Sequence, residues 1–236
     1  MTAQLRVCLL ATAVFFTTLL PGHARALDIQ SVTSPGGITG WLVEDHDNPI
    51  LTMSFSFNGG EAAEPIGKEG LARLLSATLD EGAGDLDSTA FQKALADDSI
   101  SIGFNSGLDR FSGKLVTLTE TRERAIELLH MAMTEPRFDE EPVGRMKASI
   151  QASLRRSLVD PRSKASRAWW AGNFPDHPYG RSHDGSLESI AALGPDDLRA
   201  FKTRIMSRDG LLVTAVGDID PEAFGAGMKA AAENPS

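Results

Sequence analysis

Five histidines, a single cysteine and one acid-rich turn are the residues of this 236-residue chain whose types suit metal or nucleophile chemistry. His177 and His183 flank a turn from which two imidazoles can share a metal ion. No cysteine or close third ligand supports that pair, and a loop-stabilising role is the expectation. The acid-rich turn is Asp80-Glu81-Gly82-Ala83-Gly84-Asp85-Leu86-Asp87. It lacks the alternating acids before a glycine and the closing glutamate of a calcium loop. A solvated connection between helices is expected there. Neither a G-x-S-x-G nucleophile elbow nor a P-loop occurs. Trp169 and Trp170 are adjacent, so a helix turns them about 100° apart. Packing at two surfaces is expected of them, not a ligand cage.

The elements that would position these groups can be read from periodicity. Leu51, Met53, Phe55 and Phe57 alternate with Thr52, Ser54 and Ser56, the period of a half-buried strand over 50–57. A preceding strand over 40–44 and the polar turn 45–49 predict a hairpin. A glycine-bearing loop, 58–67, leads to a predicted helix over about 68–80, with Leu71, Leu74, Leu75 and Leu79 as its apolar stripe. Ser88 caps a short helix through Ala96. A second strand pair, 100–104 and 110–117, turns around Asn105-Ser106-Gly107. Helices are predicted over 121–135, stopped by Pro136, and over 139–159, where Val143, Met146, Ile150, Leu154 and Leu158 recur at core-facing spacing. Pro161 opens a further helix to about Phe174. Short helices at 186–192 and 195–206 precede a compact apolar strand, 210–216. This order predicts an α+β fold with a mainly antiparallel sheet packed against several helices.

The first 26 residues read as a secretory signal: Arg6, an apolar run from Val7 to Leu20, then Ala24-Arg25-Ala26 as a cleavage site. That run falls short of the ~20 residues that span a bilayer. An uncleaved anchor is the alternative, and a mature chain with no stable membrane span is the expectation. Cleavage would remove Cys8, the only cysteine, and with it any disulfide, thiol nucleophile or cysteine ligand. Arg6 and Arg25 would go while none of the 32 acidic residues would, taking the formal charge from −9 to −11. Such a chain repels phosphate backbones, so nucleic acid is not expected as a partner.

Several motifs lie in one order: Asn58-Gly59-Gly60-Glu61, Glu64-Pro65, Gly67 and Gly70-Leu71-Ala72. His177-Pro178-Tyr179-Gly180, Gly185-Ser186, Ser189-Ile190-Ala191-Ala192-Leu193, Asp197-Leu198 and Val216-Gly217-Asp218 follow. Together with the element order, they resemble the insulinase family of zinc peptidases, which includes pitrilysin and the mitochondrial processing peptidases. The resemblance runs from about Ser31 to Ala230. After the signal-like residues 1–26, it implies an insulinase-like N-terminal domain at 27–220 and the truncated start of a following segment at 221–236. Family members are usually about twice this length, with two similar halves enclosing a peptide chamber.

Active members resemble one another in an H-x-x-E-H motif on the helix after the Gly-Leu-Ala segment. Its two histidines bind zinc from one helical face, and its glutamate activates the attacking water. In that register Arg73, Ser76 and Ala77 stand at the three positions here, and the third zinc ligand falls near Ser153. A guanidinium opposes a dication, a hydroxyl is no carboxylate base, and a methyl group donates nothing. The resemblance therefore implies a chain with no metal of its own, zinc being expected only in a homologous zinc-bearing peptidase subunit. Alternatively, Arg73 and Ser76 are simply solvent-facing residues of an apolar helix. The resemblance further implies that Gly103, Phe104, Asn105 and Ser106, on an edge strand, bind an extended peptide substrate by strand addition. The expected setting is periplasmic or secreted. Expected functions are a non-catalytic partner subunit, a stand-alone peptide-binding or structural protein, a truncated remnant, or an enzyme of unrecognised chemistry.

Overall fold

In the computed structural model, residues 27–232 are described; the expected signal segment lies outside them. Alternation in β3 (Ile50–Asn58) decides which way the sheet faces. Leu51, Met53, Phe55 and Phe57 are buried, while Thr52, Ser54 and Ser56 point to the opposite side. Five other strands complete a single sheet: β1 (Gln30–Thr33), β2 (Thr39–Glu44), β4 (Ser101–Ser106), β5 (Arg110–Leu118) and β6 (Leu212–Gly217). Their order is β1-β2-β6-β3-β5-β4. Every pairing is antiparallel except β2 with β6. Leu42, Phe111, Leu115, Val213 and Ala215 extend the buried face. On the other face Trp41 and Val216 each remain 50% exposed beside Ser54, Ser56, Lys114 and Thr214.

The expected hairpin between β2 and β3 does not form, because β6 inserts between them. The apolar Leu212–Gly217 segment gains neighbours on both edges in the middle of the sheet. The polar 45–49 link wraps its end instead. Asp45 N–H donates to Gly217 O (3.0 Å), Asp218 N–H donates to Ile50 O (3.0 Å), and His46 Nδ1 lies 2.6 Å from the Asp218 carboxylate. Strand β1 was not anticipated from the sequence. The β4–β5 hairpin matches expectation, its turn closed by Gly107 N–H to Arg110 O (2.9 Å).

Among the described residues eight helices accompany the sheet, most of them on its buried side: α1 (Leu71–Ser76), α2 (Ser88–Asp97), α3 (Arg122–Thr134), α4 (Glu140–Val159), α5 (Pro161–Asn173), α6 (Leu187–Ala192), α7 (Pro195–Ile205) and α8 (Pro221–Ala232). The molecule is thus an α+β fold with a mainly antiparallel sheet. Val143, Ile150 and Leu154 of α4 are buried, but Leu158, at its end, is exposed. Phe224 and Met228 of α8 join the same core as the sheet. The acid-rich 80–87 segment is not a solvated link. Ala83 is fully buried, Gly84 N–H donates to Glu135 O (2.9 Å), and burial pushes the Asp80 carboxyl up to about 6.

Candidate functional site

Helix α1 is six residues long, shorter than expected from the leucine spacing. Gly70, at φ +90°, starts it, and the chain passes into turns after Ser76. A side chain at Gly70 would meet Ile190 Cδ1 at 2.4 Å, and one at Gly185 would meet Glu69 O at 2.5 Å. These two glycines let the 181–185 loop lie directly against the start of α1. Leu71, Leu74, Leu75 and Leu79 are all buried, which locks the helix between β4, α4 and α7.

The three residues expected at the motif positions are occupied by local interactions. Arg73 Nη1 donates to Asp184 Oδ1 at 2.8 Å, and Ser76 Oγ donates back to Arg73 O at 2.9 Å. Ala77 supplies a methyl group only. A fixed guanidinium, a hydroxyl and a methyl do not fit a zinc ion, whose ligands are thiolate, imidazole or carboxylate. Ser153 is half-buried on α4 and offers no carboxylate. Among the described residues no group of three or more histidine, cysteine, aspartate or glutamate side chains stands ready to hold a metal.

Carboxylates nevertheless gather around this helix, from the loop before it. Glu64 is only 4% exposed, and its two oxygens accept the N–H groups of Gly70 (3.0 Å) and Ala72 (2.7 Å). Burial outweighs those two bonds and pushes its carboxyl up to about 7. Arg181 ties the same loop down by donating to Glu64 O (2.9 Å) and Ala62 O (3.0 Å). Glu61 accepts from Ser106 Oγ (3.2 Å) and sits 4.0 Å from His183 Nδ1. Burial raises the Glu61 carboxyl and lowers the His183 imidazole, which favours the neutral ring. The sequence reading passed over Glu61 and Glu64 as chemistry. Their signal was a pair of glutamates beside a glycine-started helix, where free N–H groups favour an acceptor.

The two histidines considered as a metal pair do different things. His177 Nδ1 accepts the Tyr179 N–H (3.2 Å), while His183 stands edge-on to Trp170 at 5.5 Å. Trp169 and Trp170 do not pack at separate surfaces. They meet edge-to-face at 5.0 Å and share Phe174, because α5 ends there and the chain folds back.

Strand β4 lies at the edge of the sheet, hydrogen-bonded to β5 alone. Gly103 and Asn105 are exposed, and Gly103 has open space where a side chain would project. Phe104 instead packs against Phe55 (6.0 Å) and Phe111 (6.2 Å), and Ser106 reaches Glu61. Antiparallel alternation, counted from the Gly107–Arg110 bond, points the N–H and C=O groups of Ile102, Phe104 and Ser106 outward from the sheet.

This arrangement is the insulinase-like peptidase fold. A solved structure described as a peptidase M16 inactive domain from Pseudomonas fluorescens superposes with a TM-score of 0.82 at 23% identity, covering 89% of this chain and 51% of that one. Pitrilysin superposes with a TM-score of 0.76 at 17% identity, over 90% of this chain and 24% of its own. In sequence, the chain is 24% identical over 209 residues to the non-peptidase homolog YmxG of Helicobacter pylori, spanning 87% of this chain and 48% of that protein. The chain thus spans about half the length of the curated relatives it matches. No family model matches the sequence.

Proposed function

We propose that this chain is a non-catalytic insulinase-like peptidase homologue that binds extended peptide along β4 and serves as chamber wall for a zinc-bearing homologous subunit. The observation that carries this reading is the chemistry of α1. In the register the resemblance implies, Arg73 stands with a permanent positive charge where an active member would place a zinc ligand, and it is bonded to Asp184. Neither Ser76 nor Ala77 can replace the general base or the second imidazole. The names of the relatives, an inactive domain and a non-peptidase homolog, point the same way.

Strand addition needs only main-chain hydrogen bonds and a free edge, so it survives the loss of zinc ligands. The exposed edge of β4 supplies such a row, and Gly103 leaves room for an approaching backbone. Export to the periplasm or beyond follows from the signal-like first 26 residues. Among the described residues no helix is long and apolar enough to cross a membrane.

The test joins metal analysis, a cleavage assay on unstructured peptides and affinity capture from native envelopes, all with the mature chain. The expected result is zinc far below stoichiometry, no cleavage, and recovery of a chain bearing H-x-x-E-H. Stoichiometric zinc with hydrolysis would overturn the non-catalytic reading. Capture without a zinc peptidase would remove the partner and leave a stand-alone peptide binder.

A further inference from the structure

One wall of a groove of about 440 Å³ is a face of α5, and the other is the 180–184 loop. Arg162, Ser163, Ser166, Arg167 and Trp170 fall on that helical face at spacings of three and four residues. Arg181, His183 and one acid, Asp184, come from the loop. In a chain with a formal charge of −9, three guanidinium groups meeting in one groove is a local reversal of sign.

None of the three forms an ion pair with a carboxylate among the described residues, although Asp160 lies close enough to Arg167 for the two charges to attract. Arg181 donates to the main-chain oxygens of Glu64 and Ala62. Arg167 donates to Ser157 Oγ (3.3 Å) and Ser157 O (2.9 Å). Arg162 makes no hydrogen bond or ion pair among the described residues. The acids nearby are engaged elsewhere: Asp184 holds Arg73, and Asp160 accepts both Ser163 N–H and Ser163 Oγ at 2.7 Å. The Ser166 hydroxyl has no partner among the described residues. Neutral His183 adds no charge of its own. The groove therefore presents net positive charge, an unengaged hydroxyl and the Trp170 indole.

Its place in the fold narrows the ligand. Ser106, the last residue of β4, bonds to Glu61, and Glu61 faces His183 on the rim of this groove. Tyr179, just before the loop, donates to the Asp109 carboxylate (2.6 Å) in the β4–β5 turn. A strand laid along β4 runs out beside this loop.

We propose that the groove is a carboxylate-recognition subsite, taking acidic side chains of an extended peptide whose main chain lies along β4. Guanidinium groups bind carboxylates in a planar fork, and pairs held in a groove discriminate charge more sharply than isolated surface lysines. The ligand class is then an acidic peptide segment, and this inference rests on the β4 reading given above.

The test uses the mature chain and Trp fluorescence, confirmed by calorimetry. Three probes are titrated: a peptide alternating Thr and Glu, its Thr/Gln isostere, and inorganic phosphate alone. The Glu peptide is expected to bind about 10-fold or more tightly than the Gln peptide. That preference should shrink as salt rises. Arg162→Gln should remove most of the preference while leaving the Gln peptide's affinity and the melting temperature unchanged, since Arg162 supports no structure. Arg162→Glu should invert it. Equal binding of the two peptides overturns the groove proposal and leaves the β4 reading standing. Failure of both peptides overturns the β4 reading, and the peptide subsite with it. Phosphate binding that depends on Arg162, without a Glu preference, overturns the proposal in favour of a free oxyanion site.

Discussion

Helices α1 and α5 stand on either side of the 181–185 loop and are built to opposite plans. In α1, Leu71, Ala72, Leu74 and Leu75 are buried, and the outward-facing residues are engaged by neighbours. In α5 no residue is buried, and two of its arginines face a groove without forming ion pairs. The first helix carries burial, and its polar face is settled. The second carries arginines that form no ion pair among the described residues. A helix whose polar groups are already satisfied serves the fold, whereas arginines clustered in a groove without ion-pair partners leave charge available to a ligand.

The sharpest way to break that contrast is to truncate α1. Leu74 is fully buried among the other leucines of the stripe. Leu74→Ala should cost about 2–5 kcal/mol of stability, lowering the melting temperature by roughly 5–15 °C. Thermal unfolding followed by circular dichroism measures it. A loss under about 1 kcal/mol would mean that α1 is no more embedded than α5.

The next effect is electrostatic and sits at the start of the same helix. In the folded chain the Glu64 carboxyl titrates near 7, against an ordinary 4.5. The fold thus favours its protonated form, and the unfolded chain releases that proton at lower pH. Below about pH 4.5 both states hold the proton and the group has no differential effect. Between about 4.5 and 7 stability falls, by about 3 kcal/mol at most, and then levels off. Glu64→Gln should flatten that part of the pH–stability curve. The amide accepts only one of the two N–H groups, so the variant loses some stability at every pH, and the readout is the change in slope. Identical slopes in the two proteins would show that Glu64 is ionised throughout and stabilised by its two backbone donors.

Much of this contrast was legible in the residues, and its failures have physical causes. The leucine stripe of α1, the alternation in β3 and the β4–β5 hairpin depend on local periodicity, which a sequence carries directly. The β2–β3 hairpin failed because pairing is decided across the whole chain. Strand β6 lies about 150 residues beyond β3 yet occupies the gap between it and β2, and no local turn reports that. Helix α1 came out short because Gly70 and the buried 80–87 segment set its ends by tertiary contact. The unpaired state of Arg162 and the raised titration of Glu64 were invisible for the same reason. Both depend on which residues lie nearby in space, and the acids within reach of Arg162 are fixed only once α5 meets the 181–185 loop.

The smallest effect concerns the polar side of α1. Arg73 and Asp184 form a single 2.8 Å contact, with the arginine side chain 29% and the aspartate 56% exposed. Water screens such a pair, and ordering two side chains opposes it, so Arg73→Ala should cost only about 0.2–1 kcal/mol. Asp184 remains solvated once its partner is gone, so no buried charge is left behind. The melting temperature should move by about 4 °C or less, and the difference should vanish in about 1 M salt, where screening reaches within about 3 Å. Zinc binding should not appear in the variant, because removing a repelling charge adds no imidazole or carboxylate to α1. A loss above about 2 kcal/mol would instead make Arg73 a structural counter-charge for the half-buried Glu61, whose ionised form it favours. In that case the outer face of α1 would belong to the supporting structure as fully as its leucines do, and the contrast with α5 would be sharper still.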